Sequence, residues 1–150
     1  DIWMQDTRLD DSIWASPLGY KYFMFADMAE FDSSELNVCV GPDPDTIDPA
    51  LNSAVDGATM IIHLFDTLFI LDKDGTPVPG AAESVEISED QLTYTFKLRA
   101  GLTWSNGDPV TAADFVNAWI RAIDPNTAAD YGYMFESIAG YEEAITDPAA

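Results

Sequence analysis

The sequence predicts a mixed α/β fold, and two neighbouring segments carry this prediction. Residues 92–98 alternate between apolar and polar side chains, which is the period of a strand with one buried face. Residues 112–123 place apolar side chains at helical spacing, which predicts an amphipathic helix that packs its apolar face on the core. The apolar residues of that helix are Phe115, Val116, Trp119, Ile120 and Ile123. We expect Trp119 to be buried.

Turn and cap signals bound these two elements. Asn106-Gly107 is a pair that supplies the positive φ of a tight turn between the strand and the helix. Thr111 is the expected N-cap, and Asp114 three residues later completes a pair that resembles a capping box. Asp124-Pro125 ends the helix, because a residue before proline avoids the α region.

The rest of the chain has weaker patterns. Residues 53–71 predict a buried helix that begins near Ser53 and leads into a strand. Asp74-Gly75 and residues 88–91 predict turns before the strand at residue 92. The runs 19–25 and 36–40 are typical of strands, and we expect Cys39 to be a buried, unreactive thiol in the second run.

Composition excludes several classes of function. The chain has 150 residues, enough for one domain with a core, and its 27 acidic against 6 basic residues give a formal charge of −21. This charge repels nucleic acid and anionic lipid, and it is typical of solvated surfaces, with salt adaptation or calcium binding as alternatives. No stretch is long and apolar enough for direct membrane insertion. A single cysteine permits no internal disulfide.

No residue pattern indicates an enzyme, a metal site or a cofactor. His63 is the only histidine, and a lone histidine on a helix is typical of a structural residue. The sequence has no G-x-S-x-G nucleophile elbow and no glycine loop that could cradle phosphate. The aspartate-rich segments 43–49 and 72–75 lack the ligand spacing of an EF-hand.

One long run carries a family resemblance. The residues AESVEISEDQLTYTFKLRAGLTWSNGDPVTAADFVNAWIRAIDPNTAADY, at positions 82–131, resemble the signature region of the oligopeptide and dipeptide substrate-binding proteins of ABC importers, solute-binding family 5. Asn106 stands where that family usually has aspartate, and both residues suit the turn. The resemblance implies part of one lobe of a type II periplasmic-binding-protein-like fold, a mixed sheet with packed helices.

The resemblance also divides the chain. Residues 1–28 contain SPLGYKYFMFADM, which is similar to the carboxyl-terminal end of the same family, residues 29–35 have the composition of a linker, and residues 36–150 resemble its amino-terminal part. The order is reversed, which is consistent with a permuted or spliced chain or with a natural fusion. A permuted chain can keep the fold only if its old ends lie close together, so permutation predicts that segments 19–25 and 36–40 share one lobe and one sheet.

The family implies a function. Its members are extracytoplasmic receptors, in the periplasm or lipid-anchored at the cell surface, that bind peptides between two lobes and pass them to a membrane permease. They are several times longer than this chain and are made with a signal peptide, which this sequence does not show. The positions carried over as ligand-binding are Asp56, Gly57, Ala58, Thr59 and Tyr131. Two alternatives stay open: a member that binds nickel, a sugar or an opine, and an acidic non-catalytic interaction or scaffold domain.

Overall fold

Three antiparallel hairpins and three α-helices make up the part of the chain that the computed structural model describes, which is residues 14–15, 21–23 and 41–146. The predictions for the strand at 36–40, for Cys39 and for the linker at 29–35 lie outside these residues, as does most of segment 1–28. The described elements are mixed helix and strand, which confirms the predicted fold class.

The strands pair as neighbours along the chain. In order they are β1 (Trp14–Ala15) with β2 (Lys21–Tyr22), β3 (Phe69–Leu71) with β4 (Pro77–Pro79), and β5 (Ala82–Ile87) with β6 (Tyr94–Leu98). The turns predicted between the later pairs are present. Gly75 has φ +76°, and Gln91 closes the other turn with φ +60°. The strand predicted from residue 92 begins two residues later, and Leu92 is 82% exposed in the turn.

A small core lies where the second and third hairpins meet. The backbone of residues 80–82 bonds to the carbonyls of Thr67 and Leu68, and this contact leaves Ala81 and Ala82 almost fully buried. A side chain at Gly80 would not fit, because an added Cβ would lie 2.3 Å from the carbonyl oxygen of Thr67. Phe69 and Phe96 meet edge to face beside this contact, with ring centroids 6.2 Å apart. The two hairpins therefore pack as one unit.

The first long helix is less buried than predicted. Helix α1 spans Val55–Leu64, Ala54 rather than Ser53 is its N-cap, and the chain reaches β3 only at Phe69. The predicted order within residues 53–71, a helix that leads into a strand, is confirmed by α1 and β3. Only Gly57 and Thr59 of the helix are buried, so its predicted burial is wrong. Along its apolar stripe, Ala58, Ile61 and Ile62 are half-buried and Val55 is exposed.

The second helix has the predicted bounds, but its apolar face is less buried than predicted. Helix α2 spans Ala112–Ile123. The Asp114 carboxylate accepts hydrogen bonds from the backbone N–H of Thr111 at 2.7 Å and from its hydroxyl at 2.8 Å. Trp119 is 38% exposed and touches the ring of Phe135 on one side, so its predicted burial is wrong. A 3-10 helix (Gly132–Phe135) and α3 (Tyr141–Thr146) cover only part of the apolar face of α2.

Candidate functional site

A depression of about 360 Å³ lies between α1, the loop before it and Tyr131. Apolar side chains form most of its wall, and Asn52, Ser53 and the Tyr131 phenol add polar groups. The full lining is Pro49, Asn52, Ser53, Ala54, Val55, Ala58, Ile61, Ile62 and Tyr131. Such a surface can accept an apolar group and orient it with a few hydrogen bonds.

The loop at residues 46–52 builds one wall by close contact with α1. An added Cβ at Gly57 would lie 2.0 Å from Oδ1 of Asn52 and 2.6 Å from the carbonyl oxygen of Thr46. Glycine is therefore required at this position for the loop to lie against the helix. The loop is further ordered by Asp48, whose Oδ1 accepts the N–H of Ala50 at 3.0 Å.

An ion pair ties this loop to the second helix. Arg121 of α2 donates to both carboxylate oxygens of Asp48, with Nη1–Oδ1 at 2.8 Å and Nη2–Oδ2 at 2.6 Å. These hydrogen bonds from the guanidinium hold the pKa of Asp48 below its ordinary value. The same loop thus contacts α1 through Gly57 and α2 through Arg121, which sets the spacing between the two helices.

Tyr131 reaches the depression because the chain turns back sharply after α2. The turn has φ +52° at Ala128 and brings Gly132 against the end of α2, where an added Cβ would lie 2.9 Å from the carbonyl oxygen of Ala122. The Tyr131 side chain is 48% exposed at the edge of the depression, and its ring centroid is 6.3 Å from that of Tyr133. Its phenol is therefore available to a ligand.

The structure brings two of the five predicted ligand-binding residues together and leaves three apart. Ala58 and Tyr131 both line the depression. Thr59 is 1% exposed, and its hydroxyl donates a hydrogen bond to the carbonyl oxygen of Val55 at 2.9 Å. Gly57 is buried against the loop, and Asp56 accepts the N–H of Gly57 at 2.8 Å. The ligand-binding role of these three residues stays a prediction that their placement does not support.

The family resemblance also implies that the stretch 53–59 lines the ligand cleft, which accounts for Ser53, Ala54 and Val55. It does not account for four other residues of the lining: Pro49, Asn52, Ile61 and Ile62. A signal for the last two was present, because Val55, Ala58, Ile61 and Ile62 recur at helical spacing. That stripe was interpreted as core, whereas part of it forms the wall of the depression. Pro49 and Asn52 had no signal beyond their place in a turn-rich loop.

The described residues contain neither a cluster of metal ligands nor a membrane-spanning helix. Between residues 41 and 146 and in the two short described segments, no three His, Cys, Asp or Glu side chains lie close enough to hold a metal ion. Within the same residues, every helix is too short or too polar to cross a membrane.

Comparison with known proteins finds that this chain is similar to solute-binding proteins. Residues 76–147 match the sequence profile of the bacterial extracellular solute-binding proteins, family 5 Middle. The oligopeptide-binding protein OppA of Bacillus subtilis is 44% identical over 112 residues, which is 74% of this chain and 20% of the relative. The probable deoxycholate-binding periplasmic protein YgiS of Escherichia coli is 42% identical over 104 residues, 69% of this chain and 19% of the relative.

A solved structure agrees with these relatives. The crystal structure of Haemophilus influenzae OppA in complex with the peptide RPPGFSPFR matches 71% of this chain and 21% of its own chain, with a TM-score of 0.68 and 40% identity. The chain therefore spans about a fifth of the length of the proteins it matches. These relatives are named as binding proteins.

Proposed function

We propose that this chain is part of an extracytoplasmic receptor that binds peptides and delivers them to an ABC importer, because residues 76–147 match the bacterial extracellular solute-binding proteins of family 5. The observation that carries the proposal is the likeness to a peptide-bound protein, at a TM-score of 0.68 and 40% identity. Its partners are then a peptide and a membrane permease, and the chain itself performs no catalysis.

We place part of the peptide site at the depression beside α1. Its mostly apolar wall suits a peptide side chain, and the exposed Tyr131 phenol can bond to a peptide main-chain group. Main-chain groups are common to all peptides, so a site that uses them tolerates many sequences. The ion pair between Asp48 and Arg121 supports this site by holding its loop against both helices.

A second candidate ligand class comes from one relative. YgiS is named as a probable deoxycholate-binding protein, and a bile acid is a rigid apolar solute with polar groups at its edges. An apolar depression with polar groups at its margin also suits such a molecule. The peptide proposal is preferred because the similar solved structure contains a peptide.

A chimera tests the proposal, since this chain spans a fifth of its relatives. Residues 41–146 replace the matching segment of Haemophilus influenzae OppA, and calorimetry measures the binding of RPPGFSPFR and, separately, of deoxycholate. We expect peptide binding by the chimera. A chimera that folds, as judged by circular dichroism, and binds only deoxycholate would favour the second candidate. A folded chimera that binds neither would contradict both.

A further inference from the structure

His63 joins two parts of the molecule that are distant in sequence. It lies in the last turn of α1, and its ring meets the residue that follows β2. The Nε2 atom accepts a hydrogen bond from the backbone N–H of Phe23 at 2.9 Å, and the two rings have centroids 5.6 Å apart. The contact spans 40 positions of the chain. None of this belongs to the depression beside Tyr131.

The two hydrogen bonds of His63 define its protonation state. Nδ1 lies 2.6 Å from the carbonyl oxygen of Thr59, which can only accept, so Nδ1 carries a proton. The partner of Nε2 is a backbone N–H, which can only donate, so Nε2 must offer a lone pair. His63 is therefore neutral whenever both bonds exist.

We propose that Lys21–Phe23 is a pH-sensitive strap, held on α1 by neutral His63 and released when His63 gains a second proton. Protonation places a hydrogen on Nε2 that faces the N–H of Phe23, and two donors cannot bond to each other. The bond from Nδ1 to Thr59 survives, and the cation is well placed at the carboxyl end of a helix. Protonation thus breaks the contact with the strap and leaves α1 intact.

The other titratable groups of α1 and β2 do not account for a pH transition near neutral pH. Helix α1 carries Asp56, and β2 carries Lys21 and Tyr22. Asp66, three residues after His63, accepts a hydrogen bond at Oδ2 from Nη2 of Arg99 at 3.2 Å. Aspartate, lysine and tyrosine change charge outside the range of about pH 5 to 8, in which histidine changes. His63 is the only histidine in the chain, so NMR signals of an imidazole ring belong to it and report its own protonation.

Amide hydrogen exchange at Phe23 in the whole chain tests the strap. The exchange rate is divided by the intrinsic rate at each pH, and the ring of His63 is followed by NMR in the same samples. We expect protection of the Phe23 amide to fall between about pH 8 and pH 5, because histidine titrates in that range. The fall should be up to about tenfold, because that is the size of effect expected from the loss of one hydrogen bond. The fall should follow the titration of the ring.

Two variants distinguish the switch from a general effect of acid. His63→Gln keeps an acceptor that does not titrate, so the Phe23 amide should stay protected at both pH values. His63→Phe keeps an aromatic ring without an acceptor, so the protection should be low at both. The proposal is overturned if the wild-type amide is equally protected across the range, if it is unprotected at both ends, or if His63→Gln retains the pH transition.

Discussion

Arg121 and Asp48 form two parallel hydrogen bonds, at 2.8 and 2.6 Å, although 73 positions separate them in the chain. The pair joins α2 to the loop that lies against α1. It therefore links the helix that leads to Tyr131 with the helix that carries Ala58. The two sides of the depression are held together by one charged contact and one close backbone approach at Gly57.

Asp48→Asn tests the charged contact. The variant keeps the shape of the side chain and loses the charge that attracts both N–H groups of Arg121, so the free energy of unfolding should fall. The fall should be modest, because the Arg121 side chain is 49% exposed and water and salt screen the pair. Urea unfolding at low and high salt measures it, and the difference from wild type should shrink at high salt. A difference that grows with salt would contradict the ion-pair account.

The pH dependence of the same variant follows from the lowered pKa of Asp48. A carboxyl whose pKa is lower in the folded state stabilises the fold fully above the ordinary aspartate value of 3.8, and this stabilisation is lost as the pH falls through the lowered pKa. Wild type and Asp48→Asn should therefore differ most near neutral pH and converge in strong acid. Curves that remain equally separated in acid would show that the variant acts through something other than charge.

Gly57→Ala tests the close approach of the loop. The added Cβ would meet Oδ1 of Asn52 at 2.0 Å and the carbonyl oxygen of Thr46 at 2.6 Å, so we expect a loss of about 1–3 kcal/mol from overpacking. Without the clash, alanine would stabilise the helix, because it is a better helix former than glycine. Urea unfolding should therefore show a lower free energy of unfolding for the variant if the loop lies against Gly57, and a higher one if it does not.

The matched control is Gly57→Ala in an Asn52→Ala background. Removing the Asn52 amide should recover part of the loss, while the Thr46 carbonyl belongs to the backbone and stays in place. Full recovery would show that only the side-chain contact matters.

Thr111→Ala tests the start of α2. The hydroxyl of Thr111 donates a hydrogen bond to the Asp114 carboxylate at 2.8 Å, so its loss should weaken the start of the helix and lower the free energy of unfolding. Hydrogen bonds from Thr111 lower the pKa of Asp114, and the backbone N–H has a larger effect than the hydroxyl. Alanine keeps the backbone N–H and removes only the hydroxyl, so the pKa of Asp114, measured by NMR, should rise part of the way toward its ordinary value in the variant. An unchanged pKa would contradict the described cap.

Trp119→Ala tests the correction to the core. A buried tryptophan costs about 3–5 kcal/mol when replaced by alanine. Trp119 is partly exposed and has Phe135 on one side at a centroid distance of 5.9 Å, so we expect a smaller loss of about 1–2 kcal/mol. A double-mutant cycle with Phe135→Ala should show a coupling of about 0.5–1.5 kcal/mol. A loss above about 3 kcal/mol would restore the buried interpretation.

Local signals predicted local structure well. Helix α2 has its predicted bounds, because Thr111 with Asp114 starts it and Asp124-Pro125 ends it within the sequence itself. The turns at Gly75 and Gly107 were predictable for the same reason. The exposure of Trp119 was not predictable. An apolar stripe shows which face of a helix avoids water, but it does not show which segment covers that face.

The site was predictable only in part. Ala58 and Tyr131 came from the family resemblance, and the depression contains both. The pairing of Asp48 with Arg121 had no local signal, because it depends on how the loop and α2 meet in space. Thr59 was turned inward by a hydrogen bond to its own helix, which a motif comparison does not reveal.

The central claim is that the depression beside α1 is part of a peptide site, and the affinity of the Haemophilus influenzae OppA chimera for RPPGFSPFR tests it most directly. Tyr131→Ala is compared with Tyr94→Ala, a similarly exposed tyrosine of β6 that is outside the lining. We predict that Tyr131→Ala weakens binding by about tenfold or more, as expected for an aromatic contact residue, while Tyr94→Ala leaves the affinity unchanged. Equal affinities of the unmodified chimera and both folded variants would contradict the claim.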